Sequence, residues 1–212
     1  MNAQVVIAKQ QIEAAIDELI ANLPKVDELS GDERRDIIAR YSAVLEGNFI
    51  YWMTAALIAT KSPEARPIIL ENLYEEVRDA HPAMLRRFAI AANAFPTDRD
   101  ALSVTEELTR VRVFLGRLSA VQSLATMAFF EGFIQRFMGY LAALAAAQGS
   151  TEMEYTDVHG VCDIAHTDGL FRALSAEMAV NPLAPGQDLL EGVSLLRILL
   201  EQIVTCRTEA VA

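Results

Sequence analysis

The segment His159-Gly-Val-Cys-Asp163-Ile-Ala-His166 decides the fold class that we predict for this chain. At about 100° per residue in an α-helix, Asp163 lies about 40° from His159, and His166 lies about 20° to the other side. Three side chains that can bind a metal ion therefore share one narrow stripe of a helix. Mixed imidazole and carboxylate ligands suit iron, manganese or zinc. A polar stripe that faces solvent is the alternative interpretation.

Glu131 is a second candidate ligand because it lies inside an apolar and aromatic run, Ala128-Phe-Phe-Glu-Gly-Phe-Ile134. A buried carboxylate without a partner costs free energy. A bound metal ion removes that cost. Pairing with an arginine such as Arg136, or protonation, is the alternative.

A third segment, Glu71-Asn-Leu-Tyr-Glu-Glu-Val-Arg-Asp-Ala-His81, places acidic residues before a histidine. Alone it is a weak indicator, since acidic residues on a helix usually face solvent. The three segments together nevertheless hold all 3 histidines of the chain, each near a carboxylate. Ferritin-like bundles use two Glu-x-x-His pairs, whereas Arg78 and Thr156 stand three residues before the first two histidines. The ferritin-like pattern is therefore excluded.

On these segments the chain resembles the haem-oxygenase-like diiron oxidases, which share a fold with haem oxygenase and thiaminase. The resemblance covers roughly residues 41–173. The family motif Asn-Leu-x-(Asp/Glu)-Glu with a following His is matched by residues 72–76 and His81, and the motif His-x-x-x-Asp-x-x-His by residues 159–166. A Glu in an aromatic run is matched by Glu131. The resemblance implies a ligand set of Glu76, His81, Glu131, His159, Asp163 and His166.

The first core helix departs from the family pattern. Only four residues separate Glu76 from His81, which leaves Glu75 and Glu71 as alternatives for the role of Glu76. Haem oxygenase itself is disfavoured because no histidine precedes position 81, and thiaminase-like members use a cysteine nucleophile and lack these ligands. We expect Cys162, which lies within the stripe, to be a packed thiol.

The resemblance implies a non-haem diiron oxygenase with two iron ions and dioxygen as co-substrate. Members oxygenate amines, cleave carbon–carbon bonds or make p-aminobenzoate from their own tyrosine. Glu46 shares a helical face with Phe49, Ile50 and Met53, and N-oxygenating members carry a further carboxylate ligand on this preceding helix. We therefore favour Glu46 as a seventh ligand and N-oxygenation of a small biosynthetic amine. Carbon–carbon cleavage or desaturation is the alternative reaction, and a boundary or paired position is the alternative for Glu46.

The hydrophobic pattern predicts an all-α fold, a single haem-oxygenase-like bundle of seven or eight helices over residues 1–212. Ile7, Ile12, Ile16, Leu19 and Ile20 predict the buried face of the first helix. We expect a second helix from the capping box Ser30–Glu33 to about residue 60, and a third from Ser62 to a break near His81, because Pro82 follows. Further helices are expected to about residue 94, from 105 to about 148 with a break near 116 or 119, from 154 to 179, and after 186.

The composition limits the class of partners. The net charge is −11 and no run of lysines or arginines occurs, which argues against nucleic acid or an anionic membrane as partner. Neither a signal peptide nor a span of roughly 18 apolar residues is evident, so we expect a cytoplasmic protein. A small-molecule substrate and an external electron donor are the expected partners, and a homodimer stays open. A non-catalytic partner-binding protein is the alternative to an enzyme.

Overall fold

The computed structural model describes residues 3–206, and within them it contains α-helices, one short 3-10 helix and no strand. The architecture is therefore the all-α bundle that the sequence predicts. The α-helices are α1 (Ala3–Ala21), α2 (Gly31–Ala59), α3 (Ala65–Arg78), α4 (His81–Ala91), α5 (Asp98–Leu102), α6 (Thr105–Leu115), α7 (Ala120–Ala147), α8 (Glu154–Val180) and α9 (Glu191–Thr205).

Helix α7 forms the centre of the bundle. Every residue from Ala120 to Ile134 is buried, which is the pattern of a helix surrounded by other helices on all sides. Helix α8 packs along it most extensively, and α2, α9 and α1 cover its other faces. Because α7 is buried on all sides, a charged residue in its middle must find its partners inside the protein.

Two predicted helix boundaries are confirmed and have clear local causes. Ser30 Oγ accepts a hydrogen bond from the Glu33 backbone amide at 3.2 Å, and the Glu33 carboxylate accepts one from the Ser30 amide at 2.9 Å. The predicted break near His81 is also present, since α3 ends at Arg78 and α4 begins at His81. Ala80 between them has a left-handed backbone conformation, with φ 56°.

Other expectations are wrong in detail. Nine α-helices are present in residues 3–206 instead of seven or eight, partly because α5 forms between residues 94 and 105, where no helix was predicted. In α1 the buried face uses Val5 and Ala8, while Ile7 is 56% exposed. Helix α2 is kinked, because Glu46 and Gly47 have non-helical backbone angles and Gly47 has φ 83°. A helical wheel drawn through the kink therefore does not place Glu46 correctly.

Helix α9 closes the bundle by an unusually close approach to α6 and α7. A Cβ atom added at Gly192 would lie 2.1 Å from Thr126 Oγ1 and 2.3 Å from Phe114 Cε1. Only a glycine fits at this crossing. The position is thus a point where the sequence is dictated by packing between helices.

Helix α2 is, within residues 3–206, the one helix that is long and apolar enough to cross a membrane by length and composition. Of its most apolar window, 56% is buried inside the protein. The core helix of a soluble protein meets the same criterion, so this helix is weak support for a membrane span. A cytoplasmic location stays a prediction.

Candidate metal centre

The six predicted ligands come together between α3, α4, α7 and α8. Helix α3 contributes one at its C-terminal end, the first residue of α4 contributes the next, α7 contributes one from its buried middle, and α8 contributes three. The left-handed backbone of Ala80 separates α3 from α4 immediately before His81. Five of the six are buried and His166 is nearly so: Glu76, His81, Glu131, His159, Asp163 and His166.

One group of donor atoms comprises Glu76, His81 and His159, whose ligand atoms lie within 4.8 Å of one another. The Nδ1 atom of His81 lies 2.8 Å from Glu76 Oε1, and Nε2 of His159 lies 3.9 Å from the same oxygen. The His159 Nδ1–H donates to the Tyr155 carbonyl oxygen at 2.8 Å. This bond leaves the Nε2 lone pair of His159 directed towards Glu76, as a metal-ligating histidine requires.

A second group comprises Cys162, Asp163 and His166, also within 4.8 Å. Glu131 adjoins it, because its Oε1 lies 3.7 Å from His166 Nδ1, and Asp163 Oδ1 lies 3.6 Å from the same nitrogen. The Cys162 thiol lies 3.1 Å from Asp163 Oδ1 and donates to it. Burial raises the pKa of this thiol, so Cys162 acts as a neutral donor to a carboxylate and fits the packed thiol that we expected.

Two residues of α3 belong to the site although the sequence did not single them out in these roles. The Glu75 carboxylate accepts a hydrogen bond from His166 Nε2–H at 2.8 Å, which leaves Nδ1 facing Glu131. Asn72 Nδ2 donates to Glu131 Oε1 at 2.7 Å. Glu75 and Glu76 therefore approach different histidines, whereas Glu71 is exposed. The spacing of residues 72, 75 and 76 puts them on one face of a helix. This spacing is the sequence feature that could have indicated that Asn72 and Glu75 belong to the site.

Burial and neighbouring charges set the protonation of these groups. Burial opposes a charge on His166, but hydrogen bonds and charges from the surrounding carboxylates outweigh it and raise its pKa to about 11. Burial lowers the pKa of His159 to about 4, so this ring is neutral at pH 7. Burial raises the pKa of Glu76 and of Asp163, and the negative charge of Glu131 adds to both shifts. Glu131 thus lies close enough to act on both groups.

The residues fit a bound cation. Two buried polar atoms of the centre, Asp163 Oδ2 and His166 Nδ1, have no hydrogen-bond partner among the residues described. Atoms of this kind are rare inside proteins unless an ion or a water satisfies them. Two ligands about 2.1 Å from one metal ion lie at most roughly 4.2 Å apart, so each group needs only a small contraction to bind one.

Glu46 lies apart from both groups of donor atoms. Its carboxylate forms an ion pair with Arg86, and its side chain is 30% exposed. Its neighbours Leu45 and Phe49, however, line a cavity together with Glu76 and other site residues. The kink at Glu46 thus brings this part of α2 to the edge of the centre, with the carboxylate held on the outer side.

An all-helical bundle around a buried cluster of carboxylates and imidazoles defines a metal-binding protein of the haem-oxygenase-like class. A comparison with protein families matches residues 38–199 to the family described as iron-containing redox enzyme. The match covers most of the chain, so the chain belongs to this family, and the predicted resemblance is confirmed. The protein is therefore an iron-containing oxidoreductase. No curated protein matches the chain, and no solved structure matches it.

Proposed function

We propose that the protein is a non-haem diiron oxygenase that activates dioxygen. The observation that carries the proposal is the division of the centre into two groups of donor atoms with Glu131 close to both. One group is Glu76 with two histidines, and the other is Asp163 with His166. Each group offers nitrogen and oxygen ligands of the kind that iron binds.

The charge of the centre supports two ions in preference to one. Four carboxylates meet there: those of Glu75, Glu76, Glu131 and Asp163. Several ionised groups of one sign are costly inside a protein unless opposite charge compensates them. Two divalent cations bring four positive charges, which balances the four carboxylates with all three histidines neutral.

The surrounding residues determine what reaches the centre. Iron held by the two groups of donor atoms would supply the electrons that dioxygen takes up, and an external donor would restore them. A cavity of about 20 Å³ adjoins Glu76, His81 and His159 and is walled by Leu45, Phe49 and other apolar side chains. This volume holds about one water-sized molecule. The cavity therefore suits a small gas such as dioxygen and excludes an organic substrate.

N-oxygenation of an amine is the reaction that we favour. One dioxygen, two electrons and two protons convert a primary amine into a hydroxylamine and one water. The support is Glu46, which lies at a kink beside the centre and becomes a seventh ligand if it exchanges Arg86 for a metal ion. Oxidative carbon–carbon cleavage or desaturation, as in the decarboxylase-like members, is the alternative if Glu46 stays paired.

Iron content and oxygen consumption test the proposal. Purified protein reconstituted with ferrous ion without oxygen should bind about two irons per chain and then consume dioxygen. His159→Ala and Asp163→Ala should lose iron and oxygen consumption while keeping the helical circular dichroism. Asp157→Asn is the matched control, since Asp157 lies on the same helix with an exposed side chain. Tightly bound haem, or no iron uptake, would refute the diiron assignment, and iron uptake without oxygen consumption would favour the partner-binding alternative.

Glu46→Gln distinguishes the two reactions. If Glu46 binds metal during turnover, the amide should slow oxygen consumption by substrate-free ferrous protein, and labelled dioxygen should appear in a hydroxylamine product of wild type. Arg86→Gln is the control, because it frees the carboxylate and should leave this reaction intact or accelerate it. Two results together would favour carbon–carbon oxidation instead. Wild type and Glu46→Gln would consume oxygen at equal rates, and both would do so only when a carboxylic acid is present.

A further inference from the structure

An open groove between α3 and α8 leads away from the outer side of the centre. It has a volume of about 360 Å³, within the range of small-molecule sites. Glu75 contacts His166 at one end, and a Cβ on Gly169 would lie 3.1 Å from Ile68 Cγ2 further along. The two helices are therefore antiparallel here, and the groove follows both of them. Its polar lining consists of Glu71, Asn72, Glu75, His166 and Arg172.

Arg172 has an unusual position among the arginines. Each other arginine between residues 3 and 206 has an interaction with a protein group, whereas Arg172 makes no hydrogen bond and no ion pair there. Among the described residues that line the groove, which include His166, Arg172 is the only arginine or lysine. Five N–H donors thus remain available at the side of a cavity that reaches the candidate metal centre.

The direction of the Arg172 side chain limits the length of a ligand that could lie between its guanidinium group and the centre. Its Nη2 atom lies 3.8 Å from the position that a Cβ on Gly169 would take, so the side chain extends back along α8 towards the centre. Gly169 and His166 are three residues apart, which is about 4.5 Å along a helix axis. A ligand of a few carbon atoms therefore spans the distance between the guanidinium group and the His166–Glu75 pair.

We propose that this groove binds a small aliphatic amino acid, with its carboxylate on Arg172 and its amine beside Glu75 and Glu71. The proposal rests on the proposed function, because it places an amine next to the candidate centre, on the outer side of the His166 ring. A guanidinium group binds a carboxylate with two parallel hydrogen bonds. Two carboxylates at the other side attract an ammonium group, and the deprotonated amine is the form that reacts.

The choice of a carboxylate over a phosphate follows from the same charges. A phosphate monoester carries nearly two negative charges at pH 7, whereas the groove offers one guanidinium group, and its imidazole, that of His166, is already paired with Glu75. A singly charged carboxylate is balanced by Arg172 alone. The groove is therefore electrostatically matched to a zwitterion with one positive and one negative end.

Calorimetric titration of the protein with and without ferrous ion, both under anaerobic conditions, tests the proposal. The probes are glycine, β-alanine, 4-aminobutyrate and 6-aminohexanoate, with n-propylamine and n-pentylamine as analogues that lack the carboxylate and phosphoethanolamine as the phosphate analogue. At least one amino acid should bind wild type. Arg172→Gln should weaken that binding tenfold or more, Arg172→Lys should weaken it less, and neither should change binding of the alkylamines. Arg110→Gln, an exposed arginine on α6, is the control.

The outcomes separate the two proposals. Three results would each overturn the assignment of the groove. They are failure of every amino acid to bind wild type, equal affinities of wild type and Arg172→Gln, and tighter Arg172-dependent binding of phosphoethanolamine. Absence of iron uptake would refute the diiron function, and Arg172-dependent binding to the iron-free protein would still be measurable. Normal iron uptake with no effect at Arg172 would overturn the groove alone.

Discussion

Replacing Asp163 by asparagine should stabilise the iron-free protein and at the same time abolish its response to iron. The Asp163 side chain is fully buried, its Oδ2 has no hydrogen-bond partner in the described residues, and burial together with the charge of Glu131 raises its pKa. Asparagine has nearly the same shape without the charge. The carboxylate is thus a group that the iron-free fold tolerates at a cost and that metal binding requires.

The size of the effect follows from the burial of the negative charge, since the asparagine amide still has one polar atom without a partner at this position. An unpaired buried polar group costs roughly 1–3 kcal/mol when neutral and more when charged, so we expect removal of the charge to raise the free energy of unfolding by roughly 1–3 kcal/mol. For a chain of this size, 1 kcal/mol shifts the melting temperature by roughly 2–4 °C. Iron that binds only the folded wild type adds about 4.1 kcal/mol at one thousand times its dissociation constant. The order of stabilities therefore reverses when iron is present.

Thermal unfolding followed by circular dichroism measures both effects, in chelator-treated protein and in anaerobic ferrous solution. The control Asp157→Asn, on the same helix, should change the free energy of unfolding by no more than about 0.5 kcal/mol. The reasoning is refuted if Asp163→Asn melts below wild type in chelator, or if iron raises the melting temperature of both proteins equally.

Three other predictions concern the first core helix, a buried ion pair and a helix crossing. Glu76→Gln should lose iron, while Glu75→Gln should keep more of it, because Glu75 contacts the His166 nitrogen that faces away from the other ligands. The opposite ranking in iron analysis would exchange the roles of the two residues. Burial alone would raise the pKa of Asp100, but its arginine and threonine partners outweigh it and lower the pKa below 3.8. The stability that Asp100→Asn removes should therefore be full above pH 4 and fade as the pH falls through that lowered pKa in acid-titrated unfolding; a loss that is equal at all pH values would contradict this. In urea unfolding, Gly192→Ala should destabilise the protein by about 1–3 kcal/mol through overpacking. The control Gly139→Ala should be neutral or stabilising, because the added Cβ meets no neighbouring atom within 4 Å. Equal effects of the two substitutions would refute the close crossing.

Some features of the candidate centre can be predicted from the sequence alone, and others cannot. The alignment of His159, Asp163 and His166 follows from helical periodicity alone, since angles within one helix depend only on sequence spacing. The burial of Glu131 follows from its apolar neighbours. The separate positions of Glu75 and Glu76 do not follow, because adjacent residues on α3 differ by about 100° and either could face inward. The packing of α3 against α8 directs Glu75 to His166, and the position of α4 brings His81 to Glu76.

Sequence by itself determined the all-helical class, the capping box at Ser30, the break before Pro82 and the three segments that meet at the centre. These features depend on local backbone preference and hydrophobic period. Tertiary structure decided the kink at Gly47 that leaves Glu46 paired with Arg86, and the groove along which Arg172 has no partner among residues 3–206. The Glu46–Arg86 pair and the groove both arise between elements distant in sequence, where the free energy of packing selects a geometry that no local pattern encodes.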